Sequence, residues 1–291
     1  HMALKGTVTA LITPFKEEKL DLDGLRRNIA FQIESGVSGI LPLGTTGESA
    51  TLTREERESV LSTAVAVTKG RVPIWAGTGT NATAETIERT LRAQDLGADL
   101  ALIVTPYYNK PTQEGIFRHF EAVSAAVSIP LVVYNIEGRT ARNIETETLK
   151  RIAELPHVAG VKEASGNLLQ ISEVIREIPK LAVFSGDDAL TLPAMALGAC
   201  GVVSVVSNLI PREMVAFTAA LLEGRWKEAQ ELHHRLFPLF RAAFLEVNPV
   251  PIKEAMTLCK MAAGGPRLPL CELLPHNRER LKAVLQQMDL L

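Results

Sequence analysis

The chain has 291 residues, of which 46% are hydrophobic and 22% charged, and its formal net charge is −2 at pH 7. This composition allows a large buried core, and the near-neutral charge lacks the basic field that is typical of nucleic-acid-binding proteins. The sequence shows no apolar run long enough to cross a bilayer and no signal-peptide pattern, and His1-Met2 resembles a cloning scar, so we expect a cytoplasmic protein.

Short β-rich apolar runs alternate with amphipathic helical runs over most of the chain, which predicts eight buried parallel strands. The predicted strands are Val8–Ile12, Gly39–Leu43, Pro73–Gly77, Leu100–Thr105, Leu131–Asn135, Gly160–Glu163, Ala182–Ser185 and Val202–Val206. Eight regular βα units favour a closed (β/α)8 TIM barrel over an open doubly wound sheet. We therefore predict an α/β fold with a barrel over residues 3–224 that carries the active site.

The helical runs between these strands have recognisable ends. Gly36 follows the apolar face of the first run and predicts its C-terminal stop. Thr53 and Glu56 have the spacing of a capping box, which predicts a helix that begins just after Thr53.

The strand pattern stops at about Gly224, and a different organisation follows. Three helical runs separated by proline- or glycine-rich turns are predicted, at 225–245, 251–263 and 275–290. We interpret residues 225–291 as a small C-terminal helical domain.

The cysteines and histidines indicate no metal site. Cys200, Cys259 and Cys271 have neither disulfide nor metal-ligand spacing, and we expect buried free thiols in a reducing compartment. His233 and His234 are adjacent on a predicted helix, so they cannot face one site together. The sequence predicts neither a metal nor a cofactor.

Lys162 ends the apolar run of the sixth predicted strand. A lysine buried at this position is costly to keep charged, and the free amine that results can form a Schiff base with a carbonyl substrate. The alternative is a lysine whose ammonium reaches water at the end of the strand, which is the more common outcome for an isolated strand lysine.

Other polar side chains follow predicted strands at the end of a barrel where active sites lie. The loop from Gly44 to Gly47 contains Thr45 and Thr46, and its backbone N–H groups and hydroxyls suit a small carboxylate, although an ordinary βα turn explains it equally well. Tyr134 lies on the strand beside that of Lys162 and could move protons together with Tyr108 and Thr45. The alternative is that the two tyrosines only fill the mouth of the barrel.

These motifs together resemble those of the dihydrodipicolinate synthase family, which belongs to the pyruvate-dependent class I aldolases that also include N-acetylneuraminate lyase. The resemblance runs from about Gly6 into the C-terminal helices. The motifs that carry it are Gly44–Leu52, Thr105–Pro111, Val133–Asn135, Gly138–Thr140, Val161–Ala164 and Ser185–Asp188.

The resemblance implies a reaction and a role for each site residue. Lys162 would form an imine with pyruvate, and the derived enamine would attack L-aspartate semialdehyde on the route to lysine and diaminopimelate, with no cofactor beyond this covalent imine. Thr45 and Thr46 look like holders of the pyruvate carboxylate, Thr45, Tyr134 and Tyr108 like the proton relay, Arg139 like the clamp for the semialdehyde carboxylate, and Gly186 and Val203 like the lining of the pyruvate pocket. A different pyruvate-dependent aldolase or hydratase and a non-catalytic keto-acid sensor are the alternatives.

The resemblance also implies an assembly and an effector pocket. The tyrosine equivalent to Tyr108 reaches into the neighbouring subunit's site in this family, which implies a homotetramer built as a dimer of dimers. The residues that match the family's lysine effector pocket are Ser49, Ala50, Asn81, Glu85 and Tyr107. Glu85 is equally well explained as an acidic residue in the first turn of a helix. Glu137 stands where the family usually has proline, and Ala141 follows Thr140 where it usually has glycine.

Overall fold

The computed structural model describes residues 4–291, and eight parallel strands within that range form one sheet that curves into a barrel. The strands are β1 (Gly6–Ala10), β2 (Gly39–Leu41), β3 (Trp75–Gly77), β4 (Leu100–Val104), β5 (Leu131–Asn135), β6 (Val158–Glu163), β7 (Ala182–Ser185) and β8 (Gly201–Ser204). Their order is β2-β1-β8-β7-β6-β5-β4-β3, and a bridge between Ile40 and Ile74 joins the two ends of that order. The predicted (β/α)8 barrel is confirmed.

Helices alternate with these strands and then continue alone at the C-terminus. They are α1 (Leu22–Glu34), α2 (Arg54–Thr68), α3 (Thr83–Asp95), α4 (Gln113–Ala126), α5 (Glu137–Thr140), α6 (Thr146–Ala153), α7 (Leu168–Glu177), α8 (Thr191–Ala196), α9 (Pro211–Leu222), α10 (Trp226–Ala242), α11 (Val250–Leu258) and α12 (Pro275–Gln287). The predicted capping box is present, because the Thr53 hydroxyl accepts from the Glu56 N–H and the Glu56 carboxylate accepts from the Thr53 N–H. No helix in the described range is both long and apolar enough to cross a membrane.

Four of the predicted strands extend too far at their C-terminal ends. The first and second end at Ala10 and Leu41, the fourth ends at Val104, and the last ends at Ser204. The apolar residues that follow, such as Leu43 and Val206, are buried under the loops at the barrel mouth rather than in the sheet. Burial alone therefore cannot mark where a strand ends, since loop residues at this end are also covered.

The barrel interior is filled by side chains from all parts of the sheet. Its buried cluster comprises Val8, Ala10, Leu41, Trp75, Leu100, Leu102, Val132, Tyr134, Phe184 and Val203. Trp75 and Phe184 meet edge to face, with 5.0 Å between ring centroids. Each fully buried side chain of this size contributes about 1.5–3 kcal/mol. The interior is therefore a packed core that leaves space for a ligand only at its mouth.

The C-terminal helices pack against the barrel helices. Phe240 of α10 lies 6.2 Å from Phe217 of α9, measured between ring centroids, and both belong to the large cluster between the strands and the surrounding helices. The turn between α10 and α11 holds Asn248, which is 5% exposed. This packing places the turn at the mouth of the barrel.

The cysteines are free, as predicted, but their burial differs from the prediction. Cys200 and Cys259 are half-buried, and burial raises the pKa of the Cys200 thiol to about 12. Cys271 is exposed, so the prediction of a buried thiol is wrong for this residue. It lies in the irregular segment between α11 and α12, where no sheet or helix covers it.

Candidate active site

Lys162 and Tyr134 lie side by side on neighbouring strands. Strands β5 and β6 pair with Tyr134 opposite Lys162, and both residues are buried, at 5% and 6% exposed respectively. The Lys162 Nζ lies 3.9 Å from the centroid of the Tyr134 ring. The structure therefore places the amine inside the barrel against a phenol, and the alternative of an ammonium that extends into water does not apply.

Gly186, which follows β7, leaves room for the stem of Lys162. A Cβ atom built on Gly186 would lie 3.2 Å from both Cγ and Cε of Lys162 and 2.7 Å from Cβ of Ala164. Position 186 therefore requires a glycine, because the side chains of Lys162 and Ala164 approach its Cα too closely for a Cβ atom to fit. Val203 of β8 is 1% exposed and belongs to the interior cluster together with Tyr134.

The threonine loop after β2 has unused hydrogen-bond donors. The N–H groups of Gly47 and Glu48 donate to the carbonyls of Gly44 and Thr45, at 3.1 and 3.0 Å, and so close the turn. The N–H groups of Thr45 and Thr46 donate to no other group of residues 4–291. Two N–H groups without such a partner, beside two hydroxyls, are donors of the kind that an anion-binding loop requires, and the role of this loop in carboxylate binding stays a prediction.

Asn248 joins this loop to Arg139, a contact that the sequence analysis missed. The Asn248 Nδ2 donates to the Thr46 hydroxyl at 2.9 Å, and the Arg139 Nη2 donates to the Asn248 carbonyl at 3.3 Å. Because the Thr46 oxygen accepts from Asn248, its own proton is available to a ligand. The only sequence signal for this residue is the Asn248-Pro249 turn, since it lies more than 100 positions from both partners.

A cavity of about 430 Å³ connects these groups at the barrel mouth. The lining residues include Thr45, Tyr107, Tyr134, Arg139 and Asn248. Lys162 is not a lining residue, but its Nζ contacts the ring of Tyr134, which does line the cavity. The cavity is large enough for two small organic acids, and the Lys162 amine contacts Tyr134 in its wall.

A buried carboxylate links the loops after β7 and β8. The Asp188 Oδ2 accepts from the N–H groups of Val205 and Val206, both at 3.0 Å, while its Oδ1 has no partner in the part of the chain described. Burial raises the pKa of Asp188 to about 6. Asp188 thereby holds together the two loops that follow Gly186 and Val203.

Tyr108 does not reach this cavity within one chain. Its side chain is 87% exposed, and its φ angle of 74° is unusual for a residue with a Cβ. The neighbouring Asn109 ties the loop to the segment that precedes α3, because its Nδ2 donates to the Asn81 carbonyl at 2.8 Å. The structure therefore places Tyr134 against Lys162 and Thr45 on the same cavity as Tyr134, whereas the Tyr108 side chain is exposed.

Four of the five residues of the predicted effector pocket line two different cavities, and Asn81 is a lining residue of neither. Ser49, Ala50 and Tyr107 line the cavity of the barrel mouth. Glu85 instead lines a second cavity, of about 290 Å³, between α2 and α3, where its carboxylate pairs with Arg89. Glu85 also lies in the first turn of α3, in agreement with the alternative interpretation.

Arg54 and Arg57 line the second cavity as well. Burial lowers the pKa of Arg57, and the nearby charge of Arg89 acts in the same direction. Effector binding stays a prediction.

The fold and the position of this site define a (β/α)8-barrel protein with a candidate active site at the carboxyl ends of its strands. Residues 3–288 match the model of the Dihydrodipicolinate synthetase family, and the chain belongs to that family.

Two relatives have almost the full length of this chain. The 4-hydroxy-tetrahydrodipicolinate synthase of Protochlamydia amoebophila is 50% identical over 99% of this chain and 97% of its own, and that of Methanocaldococcus jannaschii is 49% identical over 99% of both. The crystal structure of dihydrodipicolinate synthase from Aquifex aeolicus superposes with a TM-score of 0.97, at 45% identity over 99% of both chains. The predicted family is thus confirmed.

Proposed function

We propose that the chain is a 4-hydroxy-tetrahydrodipicolinate synthase, which condenses pyruvate with L-aspartate semialdehyde through a Schiff base on Lys162. The observation that carries the proposal is the buried amine, 3.9 Å from the ring of Tyr134, which lines a cavity together with Thr45 of the threonine loop. The relatives of 50% and 49% identity have this activity in their names.

The first step is imine formation. The Lys162 amine attacks the ketone carbon of pyruvate, and the ketone oxygen leaves as water after two proton transfers. Thr45 and Thr46 hold the pyruvate carboxylate through their free N–H groups and hydroxyls. Tyr134, whose ring contacts the Lys162 Nζ, is the nearest phenol for these transfers.

Carbon–carbon bond formation follows. The protonated imine withdraws electrons, so that a methyl proton leaves and an enamine forms. The enamine carbon attacks the aldehyde carbon of the semialdehyde, and the aldehyde oxygen takes a proton. The amino group of the bound semialdehyde then attacks the imine carbon, which closes the ring and releases Lys162. Arg139 provides the planar donor pair that suits the second substrate's carboxylate.

The proposal includes an assembly. Tyr108 is too exposed to serve its own site, and an exposed phenol on a strained loop is suited to complete the site of a second copy. We infer a homotetramer in which pairs of subunits exchange Tyr108, located in the cytoplasm. The imine itself supplies the electron sink, so the reaction as proposed needs no further cofactor.

Reduction with borohydride in the presence of pyruvate tests the proposal. We expect one stable adduct, located on the peptide that contains Lys162, and none in a Lys162→Ala variant. Lys253 is an internal control, because it is equally buried but its Nζ is already bonded to Glu48 and two carbonyls. An unmodified protein, or an adduct on Lys253 instead, contradicts the proposal. If the protein forms the adduct but does not turn over aspartate semialdehyde, the Schiff-base chemistry of Lys162 is supported and the assignment of this aldehyde as the second substrate is wrong.

A further inference from the structure

A buried ion pair lies directly behind the threonine loop. The Lys253 Nζ of α11 lies 2.6 Å from Oε2 of Glu48, and the two side chains are 1% and 2% exposed. Glu48 is the residue that follows Gly47, and it has a left-handed backbone with φ 54°. The pair therefore joins the C-terminal helices to the end of the loop that we assign to the keto acid.

Every polar atom of this pair is occupied. The Lys253 Nζ also donates to the carbonyls of Thr13 and Gly265, at 3.0 and 3.1 Å. The second Glu48 oxygen accepts from the Arg267 N–H at 3.0 Å. With three acceptors around one ammonium, Lys253 has no free direction in which to approach a substrate. The Lys253 ammonium is thus held in place by its three acceptors, in contrast to the Lys162 amine, which donates no hydrogen bond within the described residues.

Thr13 closes the arrangement on the other side of the loop. Its hydroxyl donates to the Gly47 carbonyl at 2.6 Å, while its own carbonyl accepts from Lys253. Gly47 and Glu48 are therefore held from two directions by groups that are themselves joined. The loop cannot shift at this end without breaking one of these bonds.

The charge of the pair argues for a positioning role. Burial lowers the pKa of Lys253, whereas the Glu48 carboxylate acts in the opposite direction. Buried ion pairs contribute little net stability compared with apolar residues of the same volume, but they determine geometry where both partners are fully bonded. A nearby apolar anchor would hold the helix equally well without specifying where the Glu48 backbone lies.

We propose that Lys253 is a positioning residue for keto-acid binding, which acts through Glu48 to hold the N–H groups of Thr45 and Thr46 in place. This inference rests on the proposed function of the threonine loop. It predicts a weaker affinity for the keto acid when the pair is removed, while the reactivity of Lys162 at saturation is retained.

The test is the pyruvate dependence of borohydride trapping in the full-length protein. Lys253→Met leaves a buried carboxylate without a cation, so the neutral pair E48Q/K253M is made in parallel and decides the question if the single variant does not fold. We expect the half-saturating pyruvate concentration to rise by about 10-fold or more in the folded variants, because displacements near 1 Å have effects of this order. The trapping rate at saturating pyruvate should be unchanged.

Glu246→Gln is the matched control. Glu246, in the turn before α11, accepts from the Leu274 N–H and the Asn277 side chain, so the substitution weakens the packing of the C-terminal helices without touching the threonine loop. It should lower the melting temperature but leave the pyruvate dependence as in the wild type. Wild-type pyruvate dependence in folded E48Q/K253M, or an equal rise in Glu246→Gln, overturns the inference. Absence of any adduct in the wild type instead overturns the proposed function.

Discussion

Replacing Gly186 with alanine places a methyl group where the structure has no room for one. The new Cβ would lie 2.7 Å from Cβ of Ala164 and 3.2 Å from two carbons of Lys162. Carbon atoms in contact prefer about 3.5–4.0 Å, so roughly 1 Å of space must open against Ala164 and about 0.3–0.8 Å against the Lys162 stem. Ala164 is short and attached directly to its backbone, whereas the Lys162 stem is flexible. We therefore expect the lysine to move first.

The magnitude follows from this displacement. Overpacking of a well-packed site costs about 1–3 kcal/mol of stability. A misplacement of a reacting group by about 1 Å lowers rates by about 100-fold. The rate of borohydride trapping at saturating pyruvate should fall by about that factor in Gly186→Ala, and the urea midpoint should fall by an amount equivalent to about 1–3 kcal/mol.

Gly138→Ala provides the control. This glycine is adjacent to Arg139, and a Cβ built on it meets nothing within 4 Å. The control should trap pyruvate at the wild-type rate. A folded Gly186→Ala variant with an undiminished trapping rate would refute the argument that Gly186 is needed to seat Lys162.

Three further outcomes are expected. Asn248→Ala should raise the KM for pyruvate by about 10-fold with a smaller change in kcat, since its side chain orients Thr46 whereas the backbone carbonyl that accepts from Arg139 is kept; an equal rise in the KM for the semialdehyde contradicts this. His119 is buried, which lowers its pKa from 6.5 to about 4. Between these two pH values the unfolded state binds more protons than the folded state, so the wild-type protein loses stability as the pH falls from 6.5 to 4. Because glutamine does not titrate, the free energy of unfolding of His119→Gln should rise by about 3 kcal/mol relative to the wild type over that range, measured by urea titration. Mixing inactive Tyr108→Phe and Lys162→Ala subunits should restore activity if Tyr108 serves a second copy, and no recovery in confirmed hetero-oligomers contradicts the exchange.

The sequence predicted the barrel and the core of the site because both depend on local patterns. Apolar runs marked the eight strands, and the strand ends then placed Lys162 beside Tyr134. The pairing in β5 and β6 confirms that adjacency. The threonine loop was also visible, since its glycines and hydroxyls are consecutive.

Long-range contacts were not predictable in the same way. Glu48 and Lys253 are separated by 205 positions, and each alone resembles an ordinary surface charge. Asn248 was hidden for the same reason, because only the folded C-terminal turn brings it to Thr46. The exposure of Tyr108 depends on a backbone with positive φ, which no pattern of apolar residues indicates.

The barrel wall has one sparsely bonded seam. Between β2 and β3 only the Ile40–Ile74 bridge pairs the backbones, with hydrogen bonds from Ile40 to the Pro73 carbonyl and from Gly77 to the Pro42 carbonyl, whereas β5 and β6 pair along five positions. The threonine loop follows β2 at this seam, whereas Tyr134 and Lys162 lie on β5 and β6, which pair along more positions. The fold thus places the start of the threonine loop at a sparsely bonded joint of the barrel wall, so that the fixed position of this loop depends on Thr13 and the Lys253–Glu48 pair behind it. Amide exchange should consequently be faster in β2 and β3 than in β5 and β6.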